Sequence, residues 1–417
     1  MFADILGLME KIRDRFSFVE TCPVQGPRIF FENAGGSLTL KSVVERSAEY
    51  AAIPDNQGRD NPASQQLSQV IVTAKQHMRI FFNAHKGQVF VGESGTELLF
   101  RLIRTACLGA QDGGRIIGST LEHPATRSAG LKWAEQTNRE YKSASHNPET
   151  GTVTVADYQR VISADTRVAT ILHTSPVTGI SVDVAAIAKA IRNVAPDCFI
   201  IVDGIQHVAH GGADIDSYDI DGYVISPYKV YSRHGYGVAW ISDRLTKMSH
   251  DMLIGGPEDQ WELGTRDTGA YATFSDVVDY LDWLGGQVST ATRPRARIEA
   301  AGKAIATHEK RLTDLMLSGN NTVSGLARIP EITIIGGAEN QHREGLVSFA
   351  LKNTASEQII SGLSEQGIRV HIRKPDHYSG NILKPLELDS CVRVSLCHYN
   401  TEAEVIAFLK ALDQFRD

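Results

Sequence analysis

At 417 residues the chain is long enough for two or three domains and a large core. Its 42% apolar and 22% charged content excludes a disordered or fibrous class, and no apolar run reaches the roughly 18 residues that a bilayer-spanning helix needs. A formal net charge of −7 argues against nucleic acid or an anionic membrane as the main partner.

The opening MFADILGLMEKIRDRF mixes acids and bases into its apolar pattern and lacks the layout of a secretory leader. It predicts one amphipathic helix with Phe2, Ile5, Leu6, Met9, Ile12 and Phe16 along one side. A cytoplasmic enzyme is the expectation. Cys22, Cys107, Cys198, Cys391 and Cys397 are scattered, odd in number and form no C-x-x-C pair, so neither a metal site nor a disulfide framework is expected.

After a loop over Cys22–Pro27, Arg28–Glu32 reads as a short strand running into Asn33-Ala34-Gly35-Gly36-Ser37. The paired glycines suit either a close approach of backbone to a ligand or a plain turn. Helices are predicted over Leu38–Ala51 and Gln65–Phe82, with a polar loop between. From Gln88 to Ser226, strand, loop and helix alternate. Strands are expected at Gln88–Gly92, Arg115–Gly118, Val168–His173, Cys198–Val202 and Gly222–Ser226, with a further one at Gly237–Ser242. Most of the connections are too long for hairpins, so the pattern is a doubly wound, mostly parallel α/β sheet. Helices over Tyr271–Leu284 and Thr292–Leu317 lead to a smaller α/β layer. Its strands are expected at Glu331–Ile335, Gly345–Leu351, Ile368–Arg373 and Cys391–Leu396, and its helices at Ser356–Gln366 and Glu402–Phe415. Thr401 and Glu404 have capping-box spacing at the last helix.

The chemistry gathers at the strand ends, where open α/β sheets bind ligands. Ser94-Gly95-Thr96 precedes a helix and offers free N–H groups, a hydroxyl and the positive end of the helix dipole, which suits a phosphate as well as an ordinary cap. His123 follows one strand, Asp203-Gly204-Ile205-Gln206 ends another, and Ser226-Pro227-Tyr228-Lys229 ends a third. An acid and a lysine so placed suit pyridoxal phosphate (PLP), in which a lysine amine forms the Schiff base and an acid holds the ring nitrogen protonated.

These motifs, in this order, resemble the class V aminotransferase and cysteine desulfurase family of fold-type I PLP-dependent enzymes, over about Phe31 to Phe415. The resemblance implies a large PLP-binding domain (23–288), a smaller C-terminal domain (289–417) and an N-terminal helical segment (1–22) packing with the latter. It implies phosphate contacts from Gly95, Thr96, Ser226 and Tyr228, and from Thr265 toward a neighbouring subunit. His123 would lie over the ring, Asp203 on the pyridine nitrogen and Gln206 on the phenolic oxygen. Lys229 would be the Schiff-base lysine. Asn33, Ala34 and Gly35 would approach the substrate, and Arg393 would grip its carboxylate. A homodimer with sites at the interface is implied, with a small amino acid as substrate.

Two departures bear on the reaction. Where desulfurases carry a mobile cysteine, this chain reads Arg373-Lys374-Pro375-Asp376-His377-Tyr378-Ser379-Gly380, without one. Pro176 stands where the family often has an asparagine, with His173 nearby. The expected activity is therefore a carbon–sulfur lyase on a cysteine-like amino acid, with His377, Tyr378 or Asp376 as acid for the leaving group. Transamination and racemisation or epimerisation stay open. A nicotinamide enzyme is excluded by the absence of G-x-G-x-x-G after the first strand, and a catalytically dead relative is disfavoured by the intact Asp203, Gln206 and Lys229.

Overall fold

The computed structural model describes residues 2–415; Met1, Arg416 and Asp417, which end the first and last expected segments, lie outside the described residues. The alternating region builds a seven-stranded sheet. Its strands are β1 (Gln88–Gly92), β2 (Arg115–Ser119), β3 (Glu140–Ala144), β4 (Thr166–Leu172), β5 (Phe199–Asp203), β6 (Gly222–Ile225) and β7 (Gly237–Ile241). They lie side by side in the order β1-β7-β6-β5-β4-β2-β3. β7 is antiparallel to both its neighbours, and the other six run one way. Their carboxyl ends therefore share one edge of the sheet. β5 is buried along its whole length, as its unbroken apolar run requires when helices cover both faces. The sequence pattern does not reveal β3: EYKSA is charged and only Ala144 in it is fully buried. It closes the sheet, where a charged edge discourages further pairing.

The smaller layer is an antiparallel sheet of β8 (Ile332–Ile335), β9 (Leu346–Leu351), β10 (His371–Arg373) and β11 (Cys391–Ser395), in the order β8-β9-β11-β10. The single strand expected over Ile368–Arg373 is divided. Ile368–Arg369 pairs in parallel with Ile29–Phe30, whereas β10 pairs with β11. The segment changes partner at the buried Val370, because it serves two pieces of chain at once.

The opening is not one helix. A 3-10 turn at Phe2–Asp4 and a helix at Leu8–Asp14 are separated at Gly7, whose φ of 69° is left-handed. That break rotates the apolar stripe, leaving Leu6 98% exposed while Phe2, Leu8, Ile12 and Phe16 are buried. Phe16 meets the rings of Tyr231, Tyr280 and Tyr399, and Arg13 donates to the Tyr399 carbonyl (2.7 Å) and to Glu404 (3.0 Å). The second long helix begins at Pro62 rather than Gln65, because Asn61 caps it by accepting from the Ser64 N–H (2.9 Å). The Thr401/Glu404 capping box is formed, and its helix runs over Glu402–Leu412 before tightening into a 3-10 turn. No helix among the described residues is long and apolar enough to cross a membrane.

One buried side chain stitches the two sheets together. Arg343, 8% exposed, donates to the carbonyls of Thr178 (2.8 Å), Leu346 (3.0 Å), Ile335 (3.0 Å) and Gly337 (2.7 Å). Ser348 adds a 2.6 Å bond to the Val177 carbonyl. These contacts fix the smaller sheet over the loop after β4. Arg343→Met keeps the volume but leaves four carbonyls without their donor. It is expected to lower the unfolding free energy by roughly 3 kcal/mol or more, measured by chemical denaturation. A loss below about 0.5 kcal/mol would show that the junction does not depend on this arginine.

Candidate active site

The shared sheet edge opens into a cavity lined by Thr96, His123, Leu172, Pro176, Asp203, Ile205, Gln206, Ser226, Tyr228 and Lys229. Each comes from the carboxyl end of a same-way strand or the turn after it. Seven of the expected cofactor residues thus meet in one place, with Gly95 beside them: a Cβ at Gly95 would strike Ser226 Oγ and Ile205. Glycine there lets the start of the helix Gly95–Gly109 come close to the β6 turn. Ser94 caps that helix, its Oγ accepting from the Glu97 N–H (3.1 Å). Its open N–H groups and the Thr96 hydroxyl form one end of the cavity, a place suited to a phosphate.

Lys229 is 9% exposed, and its Nζ donates to Gln206 Oε1 (3.1 Å). Burial, reinforced by Arg393 and Arg373 and opposed by Asp203, pushes its amine down to about 7. Asp203 accepts from the Ile205 N–H (3.1 Å) and from Thr126 Oγ1 (3.3 Å), which fixes both its oxygens; burial raises its carboxyl above the ordinary range. Nearby Glu122 is raised to about 8 by burial and by Asp203, so it holds its proton at neutral pH. His123 is pushed down to about 4 by burial, then by Lys229 and Arg373, so it is a neutral ring at neutral pH. It also caps the helix Pro124–Gln136, its Nδ1 accepting from the Ala125 N–H (3.2 Å).

Gln206 is held from behind. Its Nε2 lies 3.1 Å from His210 Nε2, and His210 Nδ1 lies 2.7 Å from Glu309 on the helix Pro294–Ser318. The amide nitrogen must donate to His210, which then donates from Nδ1 to the carboxylate. Glu309 is beyond any local sequence signal, whereas His210 sits four residues after Gln206. Thr126 is likewise not predicted, and nothing but its place after His123 marks it.

The turn over Asn33–Ser37 packs on the Lys229 turn. The Ser37 N–H donates to the Tyr228 carbonyl (3.1 Å), and Ser37 Oγ accepts from the Tyr231 N–H (2.8 Å). Asn33 is spent on structure: its amide donates to the Ser395 carbonyl (2.7 Å) and to Asn400 (3.2 Å), and its carbonyl accepts from the Tyr399 hydroxyl. The Ala34 N–H donates to Ser395 Oγ (2.8 Å). A Cβ at Gly35 would lie 3.8 Å from Arg393 Nη2, so this turn brings bare backbone beside that guanidinium. Arg393, at 1% exposure, donates to the Pro176 carbonyl (3.0 Å), which is what Pro176 contributes in place of an asparagine. Burial and Arg373 push Arg393 down to about 9.

Other expected residues stand apart. Tyr378 is 45% exposed with its ring 5.9 Å from His123, and His377 is exposed beside it. Thr265 is exposed and lines no part of the cavity in its own chain. His173 also faces elsewhere, sharing a 2.8 Å hydrogen bond with the Tyr223 hydroxyl and stacking on His207. Cys391 and Cys397 are fully buried, and burial lifts the Cys391 thiol to about 12.

Comparison with known proteins agrees with this arrangement. The family profile described as Aminotransferase class-V matches residues 29–408. The aminotransferase-like protein FGM3 of Gibberella zeae is 26% identical over 97% of this chain and 98% of its own. The cysteine desulfurase-like protein ustD of Aspergillus flavus is 26% identical, covering 97% of this chain and 90% of its own. Among solved structures, the cysteine desulfurase CsdA of Escherichia coli superposes with a TM-score of 0.79 at 22% identity, over 97% of this chain and 98% of its own. The chain belongs to the class V aminotransferase family, whose enzymes use pyridoxal phosphate. The phosphate-sized helix end, the buried acid and the buried amine around one cavity fit that cofactor.

A buried amine near 7 reacts as the free base at neutral pH. The rate at which apoprotein captures PLP, followed by absorbance, is expected to rise with pH through a midpoint near 7. Arg393→Met removes a neighbouring positive charge and is expected to move that midpoint upward. A midpoint near the ordinary lysine value, unmoved by the substitution, would contradict the electrostatic account.

Proposed function

We propose that this chain is a PLP-dependent carbon–sulfur lyase that acts on a cysteine-type amino acid without storing sulfur on a cysteine of its own. The observation that carries the reading is the meeting of Lys229, Asp203 and Gln206 in one cavity. When bound there, the cofactor supplies an electron sink for the charge left at the substrate α-carbon. Asp203, fixed by Ile205 and Thr126, would hold a proton on the ring nitrogen. Gln206, its amide polarity set by His210, would bond the phenolic oxygen. Gly95, Thr96, Ser226 and Tyr228 would hold the phosphate, with Thr265 from a second copy of the chain. His123, a neutral imidazole, would lie against the ring.

Arg393 takes the substrate α-carboxylate against the bare turn Ala34–Gly35, with Asn33 bracing that turn. Lys229 would take the substrate α-proton; an amine near 7 is poised to give that proton back as well as take it. Tyr378, whose ring lies 5.9 Å from that of His123, or the adjoining His377 would protonate the departing group. The lyase reading is favoured over sulfur storage because no cysteine stands at the rim: the 373–380 segment has none, and Cys391 and Cys397 are sealed thiols. The exposed Leu253 and Ile254, on the same stretch of chain as Thr265, support a homodimer.

PLP-loaded protein is expected to turn L-cysteine or an S-substituted analogue into pyruvate, ammonia and the free sulfur species, and Lys229→Ala to abolish this. Sulfide with alanine instead of pyruvate would refute the lyase assignment. Conversion to the pyridoxamine form, or exchange of α-deuterium without elimination, would replace it with a transaminase or an epimerase.

A further inference from the structure

A buried chain of groups runs away from the cavity behind Gln206. Lys229 Nζ donates to Gln206 Oε1 (3.1 Å), Gln206 Nε2 donates to His210 Nε2 (3.1 Å), and His210 Nδ1 donates to Glu309 Oε2 (2.7 Å). Gln206 and His210 are each 4% exposed and Glu309 is 1% exposed. The other Glu309 oxygen is sealed from solvent and has no hydrogen-bond partner.

This arrangement shows the cavity the wrong end of the amide. Gln206 presents Oε1, an acceptor, whereas a phenolic oxygen that has lost its proton needs a donor. Lys229 satisfies Oε1 as a free amine; joined to the cofactor, it no longer does. Turning the amide over brings Nε2 to the cavity and Oε1 to His210. Oε1 then needs an N–H from His210 Nε2, while Nδ1 keeps its own N–H for Glu309. An imidazole that donates from both nitrogens is an imidazolium.

The surroundings support that charge. Against the burial that disfavours it, Glu309 and then Glu344 raise His210 above the ordinary imidazole value, and Lys229 opposes them. Glu344 is itself bonded to His207 (2.7 Å). On the far side of the pair, Cys397 and His398 lie within 4.8 Å of Glu309, and the Tyr231 and Tyr399 phenols lie in its field. Burial holds all four neutral, lifting the thiol and the phenols well above their ordinary values and pushing the His398 imidazole well below. None of them competes with His210 for Glu309.

We propose that His210 and Glu309 are positioning residues for the cofactor's phenolic oxygen: loading the site turns the Gln206 amide over, and His210 takes up one proton to hold it there. The proton comes from solvent and stays on His210 Nε2. This rests on the reading that places Gln206 at the phenolic oxygen. It goes further by making the ionisation of that oxygen depend on a carboxylate of the helix Pro294–Ser318.

The test is the absorbance of PLP-loaded protein. It is read as the ratio of the yellow band, from cofactor with an ionised phenolic oxygen, to the near-ultraviolet band, from cofactor with that oxygen protonated. In the unaltered chain the yellow band is expected to predominate at neutral pH. In Glu309→Gln, His210 loses its counter-ion and the amide keeps Oε1 toward the cavity. The ratio is then expected to fall roughly tenfold or more, the worth of one hydrogen bond to a charged group. Glu309→Asp keeps the charge and restores part of the ratio. Loading in weak buffer with a pH indicator is expected to take up about one proton per chain more in the unaltered protein than in Glu309→Gln. If the near-ultraviolet band predominates in the unaltered protein, the amide has not turned, and the proposal falls whether or not the variants fold. If Glu309→Gln loads less cofactor at an unchanged ratio, Glu309 acts only on folding and the proposal falls. If Gln206→Met also leaves the ratio unchanged, Gln206 does not meet the phenolic oxygen, and the reading beneath the proposal falls with it.

Discussion

The structure depends on keeping positive charge out of water. Lys229 lies within reach of Arg393 and Arg373, and Asp203 is the carboxylate that opposes them at its amine. Desolvation lowers the amine, and the guanidiniums lower it further. A substrate carboxylate would relieve the guanidiniums, and the cofactor would occupy the amine. The same burial that destabilises the empty arrangement makes it bind, which is a familiar trade between stability and function.

Two layers are needed to make this corner. The large sheet contributes its strand ends, with Asp203 and Lys229 one strand apart. The small sheet contributes Arg393 and Arg373 from adjacent strands. The Asn33–Ser37 turn lies between them, tied to Ser395 and Asn400 on one side and to Tyr228 and Tyr231 on the other. Arg343 and Ser348 lock the small sheet to the loop after β4. Neither sheet alone supplies the whole set: the guanidiniums and the buried amine belong to different layers.

The large sheet was legible because its central strands are apolar runs punctuated by polar strand ends, a pattern that local sequence carries in full. The strand ends drew attention to Gly95, Thr96, His123, Asp203, Gln206, Ser226, Tyr228 and Lys229, and the resemblance of their order to a known family made them candidates. Charged β3 was not legible, since an edge strand needs no apolar pattern. The opening helix was misjudged because a spacing count does not see the left-handed Gly7. Glu309 and Thr126 escaped because their roles arise only when distant elements pack. Asn33 shows the reverse: its place beside the site is right, but its side chain serves the turn.

The central claim is that Lys229 is the residue that holds the cofactor. The direct measurement is borohydride reduction of the PLP-loaded protein, followed by proteolysis and mass mapping of the pyridoxyl label. The account predicts the label on Lys229 alone, with stoichiometry near one per chain. A label on another lysine, or none on the peptide containing Lys229, would contradict it.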